Sequence, residues 1–158
     1  MRATLLWMFV VNLGIAFGAG LYEHRIVVPL WLSSSDNGAT HWHADVVRRD
    51  DTGRRFWAFV TTLPLTIIAF ANLFAAWGAP SAVRGWWLAT AVAVLFDRVF
   101  TFTYFIPTMV GLLRSPDSPA AAAAAARWSN LNYARHAIAL TAWLAALKTF
   151  ALVHQQRW

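Results

Sequence analysis

The chain has 158 residues, 59% of them hydrophobic and only 13% charged, with a mean hydropathy of +0.48. A soluble domain carries about 25% charged residues, so this chain lacks the polar groups to cover itself as a water-soluble monomer. It has no cysteine, which excludes disulfides, thiolate metal sites, iron–sulfur clusters and cysteine nucleophiles. The net charge of +6 comes from basic residues that flank apolar stretches, so the expected partner is a lipid bilayer with anionic head groups and not nucleic acid.

The first uncharged stretch covers residues 4–21. Glu23, His24 and Arg25 interrupt it before an apolar continuation that contains Pro29. A signal peptide is the rival reading, with Arg2 as its basic start and residues 16–19 near a cleavage site. The preferred reading is a membrane helix over about 4–32, because a span needs about 20 apolar residues. Residues 33–55 form the only long polar stretch. It holds Asp36-Asn37-Gly38, His41-Trp42-His43 and Asp50-Asp51, and is too short for a domain. A surface hairpin or a short helix on the bilayer is expected there.

Residues 56–77 form an uninterrupted uncharged span, with Trp57 and Trp77 placed to sit in the two interfacial belts. Pro64 reads as a kink inside this helix, since membrane helices tolerate proline. The third span covers 86–113, with Asp97 and Arg98 inside and Pro107 beyond them. Ser118 and Pro119 cap and open the fourth helix, over 119–153. Its seven alanines, residues 120–126, form first turns outside the apolar core, and His154 is an exposed tail residue near the water-facing end at Gln155, Gln156 and Arg157. The fold expected is an all-α integral membrane four-helix bundle in one domain. Seven basic residues (Arg25, Arg48, Arg49, Arg54, Arg55, Arg114, Arg127) flank the loop side and four (Arg2, Arg84, Lys148, Arg157) the other. That bias favours cytoplasmic loops and external termini.

An ionisable group at mid-membrane costs about 2.5–3.5 kcal/mol and needs a reason to be there. Glu23 and His24 fall at the same depth as Asn132, Arg135 and His136, which share one helix face at i, i+3, i+4. Asp97, Thr101 and Tyr104, at i, i+4, i+7, share another. His and Glu in one buried pocket suggest proton transfer or substrate binding. The candidate catalytic residues are therefore His136, His24, Glu23, Arg135 and Tyr104. Asp97, Arg98, Thr101, Asn132, Asn72 and Trp128 are candidates for substrate binding. The alternative is structural: ion pairs among Asp97, Arg98, Glu23 and Arg135 that fix the helix register, with Asn and Thr as packing contacts.

His41, His43 and Asp45 would face one way on an extended strand, which raises zinc or copper as a minor alternative. A haem between His24 and His136 is another. Neither is required by the sequence, and no cofactor is the leading expectation. Trp7, Phe9, Phe17, Phe96, Phe100, Phe102 and Phe105 read as lipid-facing or core residues. Phosphate-binding glycine loops, nucleophile elbows and His-Glu-x-x-His motifs are absent. Glu23 is the only glutamate, which excludes a di-iron carboxylate bundle.

Gly18-Ala19-Gly20-Leu21-Tyr22-Glu23 with Pro29 resembles the first-helix motif of the anthrone oxygenase-like family of small four-helix membrane proteins. Pro64 fits its second helix. Thr103-Tyr104-Phe105-Ile106-Pro107-Thr108 resembles its third-helix motif, and the segment from Trp128 to Arg135 resembles its Trp-x-x-Leu-[Asn/His]-x-x-Arg signature. The resemblance runs along nearly the whole chain. It implies a helical bundle with a pocket for a hydrophobic substrate, and oxidation of anthrones to anthraquinones by dioxygen without a dedicated cofactor. Met109 stands where some members carry Asn, Asn132 where some carry His, and the His-x-His loop is longer than the family's. The expected function is thus a membrane-embedded oxygenase acting by acid–base chemistry on a phenolic or polycyclic small molecule. His136 or His24 would be the base, and Arg135, Asn132 and Tyr104 the oxyanion partners. The alternative is a non-enzymatic membrane protein: an accessory subunit, a carrier or a lipid-binding bundle. Gly14, Ala16 and Gly18 offer a close-packing face for a homo-oligomer.

Overall fold

The computed structural model describes residues 2–35, 40–49 and 52–155. Asp36, Asn37, Gly38, Asp50, Asp51, Gln156 and Arg157 lie outside the described residues. Four helices are long and apolar enough to cross a membrane: α1 (Arg2–Trp31), α3 (Gly53–Trp77), α4 (Ser81–Arg114) and α5 (Pro119–Gln155). They form an all-α, up-and-down bundle in which α1 packs on α3 and α5, and α4 on α3 and α5. The polar stretch combines both expected forms. Strands β1 (Leu32–Ser34) and β2 (Thr40–Trp42) pair antiparallel, and a short helix α2 (Ala44–Arg49) follows.

Three of the four long helices are locally widened, and proline is the cause. Pro29, Pro64 and Pro107 each open an α-helical segment directly after a π-helical turn, at Glu23–Val27, Trp57–Thr62 and Thr101–Phe105. A proline inside a helix donates no N–H, and its ring collides with the carbonyl four residues back. Admitting one extra residue to the preceding turn relieves both problems without ending the helix. The fourth long helix has its proline at the first position only, and α5 runs unbroken as α-helix for 37 residues. Its start is capped as expected, with Ser118 Oγ accepting from the Ala121 N–H at 3.1 Å.

The core divides along the bundle axis. Near the chain termini, Leu6, Ala76, Ala79, Val83 and Trp87 pack tightly. There Arg2 ties α1 to the α3–α4 turn by donating to the Gly78 carbonyl at 2.8 Å. In the middle, Phe9, Leu13, Ala69, Ala91, Ala142 and Ala146 bring the helices close through small side chains. On the loop side, Trp31, Trp42, Val47 and Trp128 cluster with Ala121, Ala122 and Ala125. The alanine run is therefore not outside the core. Its small side chains make the flat surface onto which the hairpin lays Trp42, which is 1% exposed. Arg48 fastens this cap by donating to the carbonyls of Leu113 at 2.9 Å and Ser115 at 3.3 Å, at the end of α4.

The expected aromatic belt is half present. Trp77 is exposed, but Trp57 turns inward. Trp7, Phe96, Phe100 and Phe102 face outward, whereas Phe9 and Phe105 are buried. His154 is exposed, as expected. The expected glycine face is also partly used within the chain. A Cβ on Gly14 would meet the Trp143 ring at 3.2 Å, while Gly18 has nothing within 4 Å.

Candidate functional site

A cavity of about 420 Å³ lies in the loop-side half of the bundle and draws its walls from all four long helices. Its size falls within the usual range for small-molecule sites. The walls are mainly apolar, with Leu65, Phe105, Met109 and Trp128 among them. Ionisable side chains interrupt that surface: Glu23 from α1, Arg54 from α3, Asp97 and Arg98 from α4, and Arg135 and His136 from α5.

Arg135 is held on every side. Its Nε donates to Asp97 Oδ1, one terminal nitrogen to Asn132 Oδ1 and the other to Thr101 Oγ1, each at 3.1 Å. Its guanidinium carbon also sits 4.4 Å from the centre of the Phe105 ring, a cation–π contact. Asp97 accepts from Arg98 as well, so one buried carboxylate serves two guanidiniums. Asn132 in turn donates to the Trp128 carbonyl at 3.1 Å, and Trp128 Nε1 donates to the Phe105 carbonyl at 3.2 Å. Asn132 thus has both ends of its amide engaged and positions Arg135.

On α1, Glu23 accepts from Trp57 Nε1 at 2.7 Å. Both residues sit on widened turns, which is how α1 and α3 bring them together. Glu23 therefore meets Trp57, while Arg135 takes Asp97 as its carboxylate. The two histidines separate in role. His136 lines the cavity, whereas His24 is buried behind it, its ring 5.5 Å from His136 and 4.1 Å from Tyr133, both edge-on. Gly20 makes the approach of His136 to α1 possible. A Cβ at that position would stand 2.7 Å from His136 Nε2.

Several expected site residues lie elsewhere. Tyr104 is not in the cavity wall; it packs edge-on to Phe105, and Phe105 takes the inward position. The widened turn at Thr101–Phe105 adds a residue, so the inward face runs Asp97, Thr101, Phe105 and not Asp97, Thr101, Tyr104. Asn72 is fully buried in the other half of the bundle. It donates to the Ile68 carbonyl at 2.8 Å and accepts from Trp87 Nε1 at 2.9 Å, which makes it a structural pin. The remaining candidates, Trp128, Arg98, Thr101 and Asn132, do line the cavity.

The proposed strand of His41, His43 and Asp45 ends at Trp42, and Asp45 belongs to α2. His43 hydrogen-bonds Ser33 Oγ at 2.7 Å, and Asp45 pairs with Arg48 at 3.1 Å. Among the described residues no three His, Cys, Asp or Glu side chains converge as a metal site.

Sequence reasoning missed Gly20, Trp57 and Phe105. The signal for the last two is the proline spacing, since each sits in the widened turn ahead of a proline. Comparison with protein families, with curated proteins and with solved structures finds no match to the chain.

Proposed function

We propose that this protein is a membrane-embedded oxygenase-like enzyme acting on a hydrophobic phenolic or polycyclic substrate. One observation carries the reading: an imidazole, two carboxylates and an immobilised guanidinium pair line one mainly apolar cavity walled by four helices long and apolar enough to cross a membrane. Ionisable groups inside such a bundle are costly and mark chemistry or binding. The resemblance to the anthrone oxygenase-like family implies the same class of reaction.

His136 is the base. It removes a proton from a C–H made acidic by delocalisation of the resulting anion. The developing oxyanion lies against Arg135, whose orientation is fixed before substrate arrives, so little reorganisation is needed. The carbanion forms a C–O bond with dioxygen and gives a hydroperoxide. Loss of the second proton from the same carbon expels hydroxide and leaves a carbonyl. One CH₂ and one O₂ become one C=O and one H₂O. Glu23 is the second proton acceptor, and His24 positions His136 from behind. Tyr104 has no role in this scheme. The arginine distribution supports placing the loop-side half toward the cytoplasm.

The test is oxygen uptake and product formation with anthrone-like compounds. His136→Ala should lower turnover by a factor of about 10² or more. Unchanged turnover in that variant would remove His136 as the base. A second reading, a lipid-binding bundle without turnover, draws on the mainly apolar wall. Tight binding without oxygen uptake by the wild-type protein would favour it.

A further inference from the structure

The cavity is long and narrow, and its two ends differ in kind. On α5 its wall runs from Trp128 to Ala142, about 21 Å along the helix axis at 1.5 Å per residue. A round cavity of about 420 Å³ would be only about 9 Å across. Glu23, Asp97, Arg135 and His136 cross it as a polar belt. Beyond the belt, toward the chain termini, the wall is made by Leu13, Ala16, Leu65, Val94, Ala139 and Ala142, drawn from all four long helices. All six are aliphatic. The aromatic members of the wall, Phe105 and Trp128 among them, stand at the belt or on its loop side.

This aliphatic end has a floor. Leu13, Leu65, Val94 and Ala142 are buried, and they cluster with Phe9, Ala69, Ala91 and Ala146, which lie one turn further along each helix and are fully buried. A void among packed helices costs stability, because the atoms that line it lose contact partners. Larger side chains at 16, 139 and 142 would fill the space. Alanine at all three positions leaves it open.

We propose that this end of the cavity takes a slender alkyl chain, so that the ligand carries an oxygen with an aromatic ring on one side and a chain on the other, as in an alkyl aryl ketone. The oxygen lies at the belt against Arg135. The ring packs with Phe105 and Trp128 on the loop side. The chain passes His136 and ends near Ala142, a depth of about 9 Å at 1.5 Å per residue. An extended chain advances about 1.2 Å per bond, so about five to seven carbons fill that depth. Lipid tails are as apolar as this pocket, so the chain gains little merely by leaving the bilayer. Its contribution is close packing, which makes binding sensitive to chain length. The proposal rests on the reading of this cavity as a site for a hydrophobic substrate, and it adds the shape of that substrate.

The test measures binding, not turnover, by equilibrium dialysis of the protein in nanodiscs against empty nanodiscs, which removes partition into lipid. The probes are acetophenone, hexanophenone and dodecanophenone. The wild-type protein should bind hexanophenone at least about fivefold more tightly than acetophenone, and dodecanophenone, too long for the pocket, more weakly than hexanophenone. Ala142→Leu should weaken hexanophenone about fivefold or more and change acetophenone less than about twofold. Leu65→Ala deepens the pocket and should strengthen dodecanophenone about threefold or more. The proposal is overturned if the wild-type protein shows no preference for hexanophenone, or if Ala142→Leu weakens both short probes alike. It is equally overturned if Ala142→Leu leaves hexanophenone unchanged, which would put the chain on the loop side. Should Ala142→Leu fail to fold, Ala139→Leu on the same wall and the Leu65→Ala shift decide by the same criteria. Chain-dependent binding with no oxygen uptake would sink the oxygenase reading and leave this one standing. Oxygen uptake with no dependence on chain length would do the reverse.

Discussion

The two halves of this bundle treat polar groups in opposite ways. Near the termini, Asn72 is enclosed by tight packing and its amide is bonded to Trp87 and to the Ile68 carbonyl, while small residues hold the helices together. Near the loops, three prolines widen three helices, and Glu23, Arg98, Arg135 and His136 face an open volume. The first half uses polarity to fix register; the second keeps polarity available. Proline placement accounts for the difference, because each widened turn rotates side chains off the ordinary helical face and spreads the backbones apart.

Substitutions should separate the halves. The largest effect is expected at the junction. Asp97→Ala leaves Arg98 and Arg135 buried without their carboxylate and should cost about 3–5 kcal/mol, read by unfolding in mild detergent. Asp97→Asn should recover part of this. In the tight half, Asn72→Ala strands Trp87 Nε1 and should cost about 1–3 kcal/mol while leaving ligand binding intact. Gly20→Ala and Gly18→Ala sharpen the contrast within one helix. The methyl on Gly20 displaces the His136 ring and should lower turnover about tenfold. The methyl on Gly18 meets open space and should raise helix stability by up to about 1 kcal/mol without touching turnover. The smallest effect is expected at Pro107→Ala. It allows the turn at Thr101–Phe105 to tighten and should lower turnover about threefold, with stability almost unchanged.

Much of the fold was legible because bilayer thickness forces long apolar runs, and these runs stand out between residues 33–55, 78–85 and 114–118. The Asn132 and Arg135 spacing was legible for a similar reason: α5 is a regular helix, and its i, i+3 pair forms as a hydrogen bond. The inward face of α4 was not. A period of 3.6 residues carries Tyr104 into the site, and the widened turn before Pro107 replaces it with Phe105. Trp57 follows the same logic; its position fits an interfacial belt, but the turn before Pro64 aims it at Glu23. Asn72 and the alanine run were misjudged because their roles depend on what lies opposite them. Those partners, Trp87 and Trp42, come from distant parts of the chain.

The division of labour between the halves is tested most directly by measuring stability and turnover together in His136→Ala and Asn72→Ala. A double dissociation is expected. His136→Ala should lose turnover and unfold like the wild-type protein, and Asn72→Ala should unfold earlier yet turn over normally once folded. If both variants lose stability and turnover in proportion, the polar groups of the loop-side half are structural pins like Asn72, and the cavity is not a reaction site.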